Sequence, residues 1–132
     1  MDKKKDAKTI MMVEPDVVIR MVIAEHLREC GYQVIEGVTA QDVWTVLDSG
    51  RSIDIVLADV KLAGPEDGFS LARRIRQTHS AIDVILTSGI AGAAQESHDL
   101  CEDGPVKKPY QPQDIEARIR ILVERRRAAN KP

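Results

Sequence analysis

Asp59 closes the stretch Ile53-Asp-Ile-Val-Leu-Ala-Asp59, a short apolar run rich in β-branched residues. Such a run reads as a strand buried on both faces of a parallel sheet. A carboxylate at the exit of that strand stands exposed where open α/β sheets collect ligands and chemistry. Four other residues share the pattern. Glu14 and Asp16 follow the apolar run Thr9–Val13, Thr87 ends the run Ala81–Thr87, and Lys108 follows a short run at 105–107. If these runs lie side by side in one sheet, three carboxylates, a hydroxyl and an ammonium group meet in one crevice. Carboxylates so gathered repel each other unless a hard cation sits among them, and oxygen ligands with an incomplete protein shell suit Mg²⁺. Cation, hydroxyl and ammonium together neutralise a transferring phosphoryl group while an aspartate serves as its covalent acceptor. Asp59 therefore reads as a phosphorylatable aspartate, against the plainer reading of a helix cap or loop carboxylate.

The elements that must position these groups follow in order along the chain. Residues 1–8 are a charged tail, and Thr9–Val13 is the first strand. Asp16 is placed to cap a helix from Val17 that ends before Gly31, with Val17, Met21, Ala24 and Leu27 inward. Tyr32–Ile35 is a second strand. Thr39 caps a helix to Asp48, with Val43, Val46 and Leu47 inward and Trp44 packing beside them. The turn formers of Lys61–Gly68 end the third strand, and Phe69–Gln77 is a helix buried through Leu71, Ala72 and Ile75. After the strand Ala81–Thr87, Ile90–Cys101 reads as a weakly packed, exposed helix. A fifth strand near 105–107 and a helix from Gln113 to Arg127, with Ile115, Ile119, Leu122 and Val123 inward, complete the domain. Residues 128–132 are a tail.

Five alternating strands and helices give an α/β fold with a parallel sheet covered on both faces, since parallel neighbours need crossovers of one hand. At this length the expected form is a flavodoxin-like (βα)5 three-layer sandwich with strand order 2-1-3-4-5, spanning residues 9–127. In that order the exits of the first and third strands adjoin the crevice.

With 132 residues, 43% of them hydrophobic, the chain fits one domain with an ample core. Its net charge of −2 gives no general reason to bind nucleic acid or an anionic membrane. No apolar run approaches a membrane span, and Met1-Asp-Lys-Lys-Lys5 leads into no signal-peptide hydrophobic region, so the expected location is cytoplasmic. Cys30 and Cys101 show no CxxC spacing, and His26, His79 and His98 are read as having no acidic or cysteine partner at ligand spacing. The loop after the first strand has no glycine for phosphate cradling, which argues against a nucleotide or flavin carrier.

The motifs also resemble a known family. Val13-Glu14 before a helix, Leu57-Ala-Asp59 before Gly64-Pro-Glu-Asp-Gly68, Leu86-Thr-Ser-Gly89 and Lys107-Lys-Pro-Tyr110 look like the receiver domain of bacterial two-component response regulators. Four motifs occur in the family's order over nearly the whole chain. By matched position the resemblance implies that Asp59 is the phosphoacceptor, that Thr87 bonds the phosphoryl oxygen and that Lys108 pairs with it. It further implies Mg²⁺ held by Glu14, Asp59 and the backbone carbonyl of Lys61. Two positions depart from the pattern. Pro15 stands where the second acid of the metal-binding pair belongs, which weakens the Mg²⁺ site and leaves Asp16, one place later, as either ligand or helix cap. Pro105 replaces the aromatic residue whose rotation reports phosphorylation, so a switch here must run through backbone shifts or the weakly packed helix Ile90–Cys101.

The implied function is a single-domain response regulator. It takes a phosphoryl group on Asp59 from a sensor histidine kinase or histidine phosphotransfer protein and signals to a protein target by changing shape. It would be no enzyme beyond self-catalysed phosphotransfer and dephosphorylation, and would use the face of Ile90–Cys101, the fifth strand and the last helix for any homodimer. The alternative is a pseudo-receiver, an interaction module whose metal site no longer supports transfer.

Overall fold

The computed structural model describes residues 7–88 and 111–129, and the backbone of 106–107. Five parallel strands form one sheet in the order β2-β1-β3-β4-β5, namely Gln33–Gly37, Thr9–Val13, Ile55–Asp59, Asp83–Ser88 and Val106–Lys107. The described helices are α1 (Val17–Glu29), α2 (Ala40–Asp48), α3 (Gly68–Thr78) and α4 (Pro112–Ala129). The expected architecture and strand order are thus observed. The helix expected over Ile90–Cys101, together with Pro105 and Lys108, lies outside the described residues.

Alternation along the strands divides the core in two. Met11, Val13, Val56, Ala58 and Leu86 face one way and pack with Val43 of α2 and Leu71, Ala72 and Ile75 of α3. Ile10, Met12, Ile55, Leu57 and Ile85 face the other way and meet Ile23, Ala24 and Leu27 of α1 and Ile115 and Ile119 of α4. Every residue of β3 is buried, which explains why its sequence shows a continuous apolar run instead of strand alternation.

Helix α1 begins and ends where its signals say. Asp16 Oδ1 accepts from the N–H groups of Val18 and Ile19 at 2.9 and 3.1 Å, and Gly31, with φ of 99°, follows the C-cap Cys30. Its buried stripe differs from the expected one. Ile23, Ala24 and Leu27 are buried, but Val17 and Met21 are 52% and 61% exposed, and Val18 and Val22 are exposed beside them. Six of the first seven residues of α1, all but Arg20, are apolar, so spacing alone could not choose the face. The Ile19, Ile23, Leu27 row, one residue per turn, wins the contact with the sheet. One histidine also differs from expectation: a single helical turn brings Cys30 Sγ to 3.6 Å from His26 Nε2.

Helix α2 starts under a carboxylate. Asp42 Oδ2 accepts from the N–H groups of Val38 at 2.7 Å and Thr39 at 3.0 Å, forming the return half of a capping box. These two bonds hold the Asp42 carboxyl below its ordinary pKa. A carboxylate depressed by folding adds stability that is present above its unfolded value of 3.8 and is lost as pH falls through the lower folded value. Asp42→Ala should therefore cost about 1 kcal/mol at neutral pH, as lost caps do. In urea unfolding followed by circular dichroism, the deficit should shrink as pH falls below 4 and vanish in stronger acid.

Candidate functional site

The same alternation that sorts the core aims the polar groups. Asp59 continues the face of Ile55 and Leu57, Thr87 that of Ile85, and Glu14 that of Ile10 and Met12, so all three belong to the α1/α4 side of the sheet. Asp59 and Thr87 are register partners across β3 and β4, while Val13 pairs with Ala58 across β1 and β3. Glu14 is thereby brought one residue beyond that last pair, level with Asp59. Among the described residues the buried polar side chains are Glu14, Asp59, Thr87 and Ser88, at 2%, 8%, 2% and 0% exposure. All four sit at strand exits. Burying two carboxylates costs free energy that apolar residues would not, so their collection at one sheet edge points to chemistry rather than packing.

Asp59 lies recessed, where the sequence suggested an exposed group. The loop that follows folds back over it: Val60 N–H donates to the Thr87 carbonyl at 2.9 Å, and Gly68 N–H donates to the Val60 carbonyl at 2.9 Å. Within that loop Lys61 N–H donates to Asp59 Oδ1 at 2.8 Å, which fixes the carboxyl's rotation. Lys61 meets the site through its backbone, and its side chain is exposed. Glu14 is oriented by the turn after β1, where its Oε2 accepts from Asp16 N–H at 2.9 Å. Its backbone is held on both sides, by Gly37 through the Glu14 N–H at 3.1 Å and by Arg20 Nη1 on the carbonyl at 2.8 Å.

Of the residues expected at the site, the structure brings together Glu14, Asp59, Thr87 and the Lys61 backbone. Asp16 is the α1 cap, with one carboxyl oxygen accepting two N–H groups, and Lys108 lies outside the described residues. Among the described residues no three His, Cys, Asp or Glu side chains gather as a metal cluster. The donor set at the site is two buried carboxylates, Glu14 and Asp59. Mg²⁺ fits such a set, since it keeps several waters and takes only one or two protein carboxylates in phosphoryl-transfer sites.

Reasoning from sequence missed the loop's second anchor. Glu66 Oε1 accepts from Trp44 Nε1–H at 3.1 Å and from Arg74 Nη1 at 2.8 Å, and Ser70 donates its hydroxyl to Glu66 Oε2 at 3.1 Å. The i, i+4, i+8 spacing of Glu66, Ser70 and Arg74 was the available signal. The long-range partner Trp44 had none.

Comparison with known proteins agrees with this geometry. The response regulator receiver domain family matches residues 10–120. The phosphate regulon transcriptional regulatory protein PhoB of Pseudomonas aeruginosa is 28% identical over 122 residues, covering 89% of this chain and 52% of that protein. The probable transcriptional regulator ycf27 of Cyanophora paradoxa is 28% identical over 121 residues, covering 89% and 49%. The chain thus spans about half the length of these curated relatives. A solved response regulator receiver domain protein (CheY-like) from Methanospirillum hungatei JF-1 superposes with a TM-score of 0.83 at 21% identity, covering 94% of this chain and 99% of that one. No described helix is long and apolar enough to cross a membrane. With its motifs, its sheet order and a family match over most of its length in agreement, the chain belongs to the response regulator receiver domains and so to phosphoacceptor signalling.

Proposed function

We propose that Asp59 accepts a phosphoryl group from the phosphohistidine of a sensor histidine kinase or histidine phosphotransfer protein. Residues 9–127 serve as the acceptor unit. A carboxylate oxygen of Asp59 attacks phosphorus, the O–P bond of an acyl phosphate forms, and the N–P bond breaks. The departing histidine nitrogen keeps the electron pair and is protonated. The Thr87 hydroxyl donates to a phosphoryl oxygen, and the Lys108 ammonium supplies the balancing charge. Glu14, Asp59 and the Lys61 carbonyl are the groups that would hold Mg²⁺, which when bound screens the charge of the phosphoryl oxygens. The exchange would take place in the cytoplasm, with a protein target downstream. The observation that carries this reading is the burial of Glu14, Asp59 and Thr87 together at adjoining strand exits.

Incubation with acetyl phosphate and Mg²⁺ tests it. Intact-mass measurement should show one added phosphoryl group that Asp59→Asn abolishes and that chelation of the metal suppresses. An unchanged mass, together with no Mg²⁺ binding by calorimetry, would favour the pseudo-receiver.

A further inference from the structure

The loop from Val60 to Gly68 has both ends on Asp59 and its far side on a different face of the molecule. At the near side, Lys61 N–H is held by Asp59 Oδ1, and Gly68 packs so closely on the Asp59 carbonyl and Val60 Cα that a Cβ has no room. At the far side, the carboxylate of Glu66, 14% exposed, receives donors from α2 and α3 at once, as Trp44, Arg74 and Ser70 converge on it. The Arg74 guanidinium also lies 4.3 Å from the Trp44 ring centroid, which locks indole, cation and carboxylate into one cluster. Between Lys61 and Glu66 the chain has only four residues. Pro65 has a fixed φ, and Ala63 is tied to Thr39 by an isolated bridge. Beside the loop an open cleft of about 500 Å³, between residues 39–41 and 63–66, leaves room for it to shift.

We infer that Glu66 is a latch through which the state of the Asp59 carboxyl is transmitted to the α2–α3 face, with Trp44 as the group that moves. The inference rests on the phosphoacceptor reading for its trigger, but its mechanics stand on the two anchors alone. Changing the acceptor offered to Lys61 N–H displaces a loop too short to absorb the motion before Glu66. The carboxylate then leaves its three donors, and the indole is uncovered. Two discrete arrangements of one loop are what a switch requires.

Trp44 is the chain's one tryptophan, so acrylamide quenching of its fluorescence reads the latch in the full chain. Asp59→Asn keeps an oxygen for Lys61 N–H and should leave quenching as in the wild type. Asp59→Ala removes that acceptor and should raise the quenching constant about twofold, as expected when a half-buried side chain is opened. In a Glu66→Ala background, which removes the acceptor of all three donors, quenching should already be raised, and Asp59→Ala should add nothing further. Phosphorylation on Oδ1 turns the acceptor of Lys61 N–H into the bridging oxygen of an acyl phosphate, a weak acceptor, so phosphorylation verified by mass should shift the wild type as Asp59→Ala does. Should Asp59→Ala fail to fold, Lys61→Pro deletes the donor of the same hydrogen bond and serves in its place. Unchanged quenching in the acceptor-deleted or donor-deleted variant overturns the latch, as does a phosphoryl mass gain without any Trp44 response. Coupling between residues 59 and 44 with no phosphoryl gain upholds the latch and sinks the phosphoacceptor reading alone.

Discussion

Gly68→Ala is expected to lower the melting temperature by about 5–15 °C, although it adds a single methyl group, taking overpacking at about 1–3 kcal/mol and a few degrees per kcal/mol for a domain of this size. The Cβ would lie 2.7 Å from Val60 Cα and closer still to the Asp59 carbonyl oxygen. Both are backbone atoms at the root of the site, and neither can turn aside as a flexible side chain could. The strain must be relieved by moving Asp59 and Val60 or by parting α3 from the sheet, which would break the bond from Gly68 N–H to Val60. Either route also misplaces the Asp59 carboxyl, so acyl phosphate formation should slow by tenfold or more, since a 1 Å misplacement costs about 100-fold in well-ordered sites. Gly64→Ala is the control. Gly64 has open space around its Cα but a φ of 93°, so alanine there costs only the left-handed penalty of about 1 kcal/mol. Thermal unfolding and phosphorylation rates measured on both variants should separate crowding at the site from strain in the loop. Equal effects would mean that residue 68 matters only as part of the loop.

Gly68 also shows where the sequence stops being legible. As the last letter of Gly-Pro-Glu-Asp-Gly68 it reads as a turn former, whereas the structure makes it the first residue of α3, chosen for what touches it. Hydrophobic runs and caps speak through neighbours in sequence, and so the strand order, Asp16, Asp59 and Thr87 could be found from them. The burial of Asp59 depends on a loop folding back, and the Glu66 cluster on a partner 22 residues away. No local pattern encodes either. Helix α1 marks the intermediate case: its limits are written in Asp16 and Gly31, but its inward face is undecided, because Val17, Val18, Met21 and Val22 are as apolar as the residues that the sheet selects.

Pro15→Asp is expected to raise Mg²⁺ affinity by about tenfold or more, a gain of roughly 1.4 kcal/mol. The described site offers two buried carboxylates, Glu14 and Asp59, and cation affinity rises with the number of anionic oxygens that a site can present. Asp16 does not supply the third while its Oδ1 holds the N–H groups of Val18 and Ile19; turning inward would surrender a cap of about 1 kcal/mol. Position 15 is exposed and immediately follows Glu14. A new carboxylate a few ångströms from a divalent ion gains several kcal/mol of attraction at an effective dielectric near 20. Most of that is offset by desolvation and by lost side-chain freedom. Losing proline's rigidity should lower stability by about 0.4–1 kcal/mol, so folding and binding will move in opposite directions, which sets this variant apart from a general improvement of the fold. Calorimetric titration with Mg²⁺ alone measures the effect, and Asp16→Ala is its counterpart. With Asp16 acting as a cap, removing its carboxylate should lower the melting temperature and leave Mg²⁺ affinity within twofold of the wild type. Loss of Mg²⁺ binding in Asp16→Ala, with no gain in Pro15→Asp, would instead show that Asp16 leaves the helix end to serve the ion, and the two-carboxylate site would have to be abandoned.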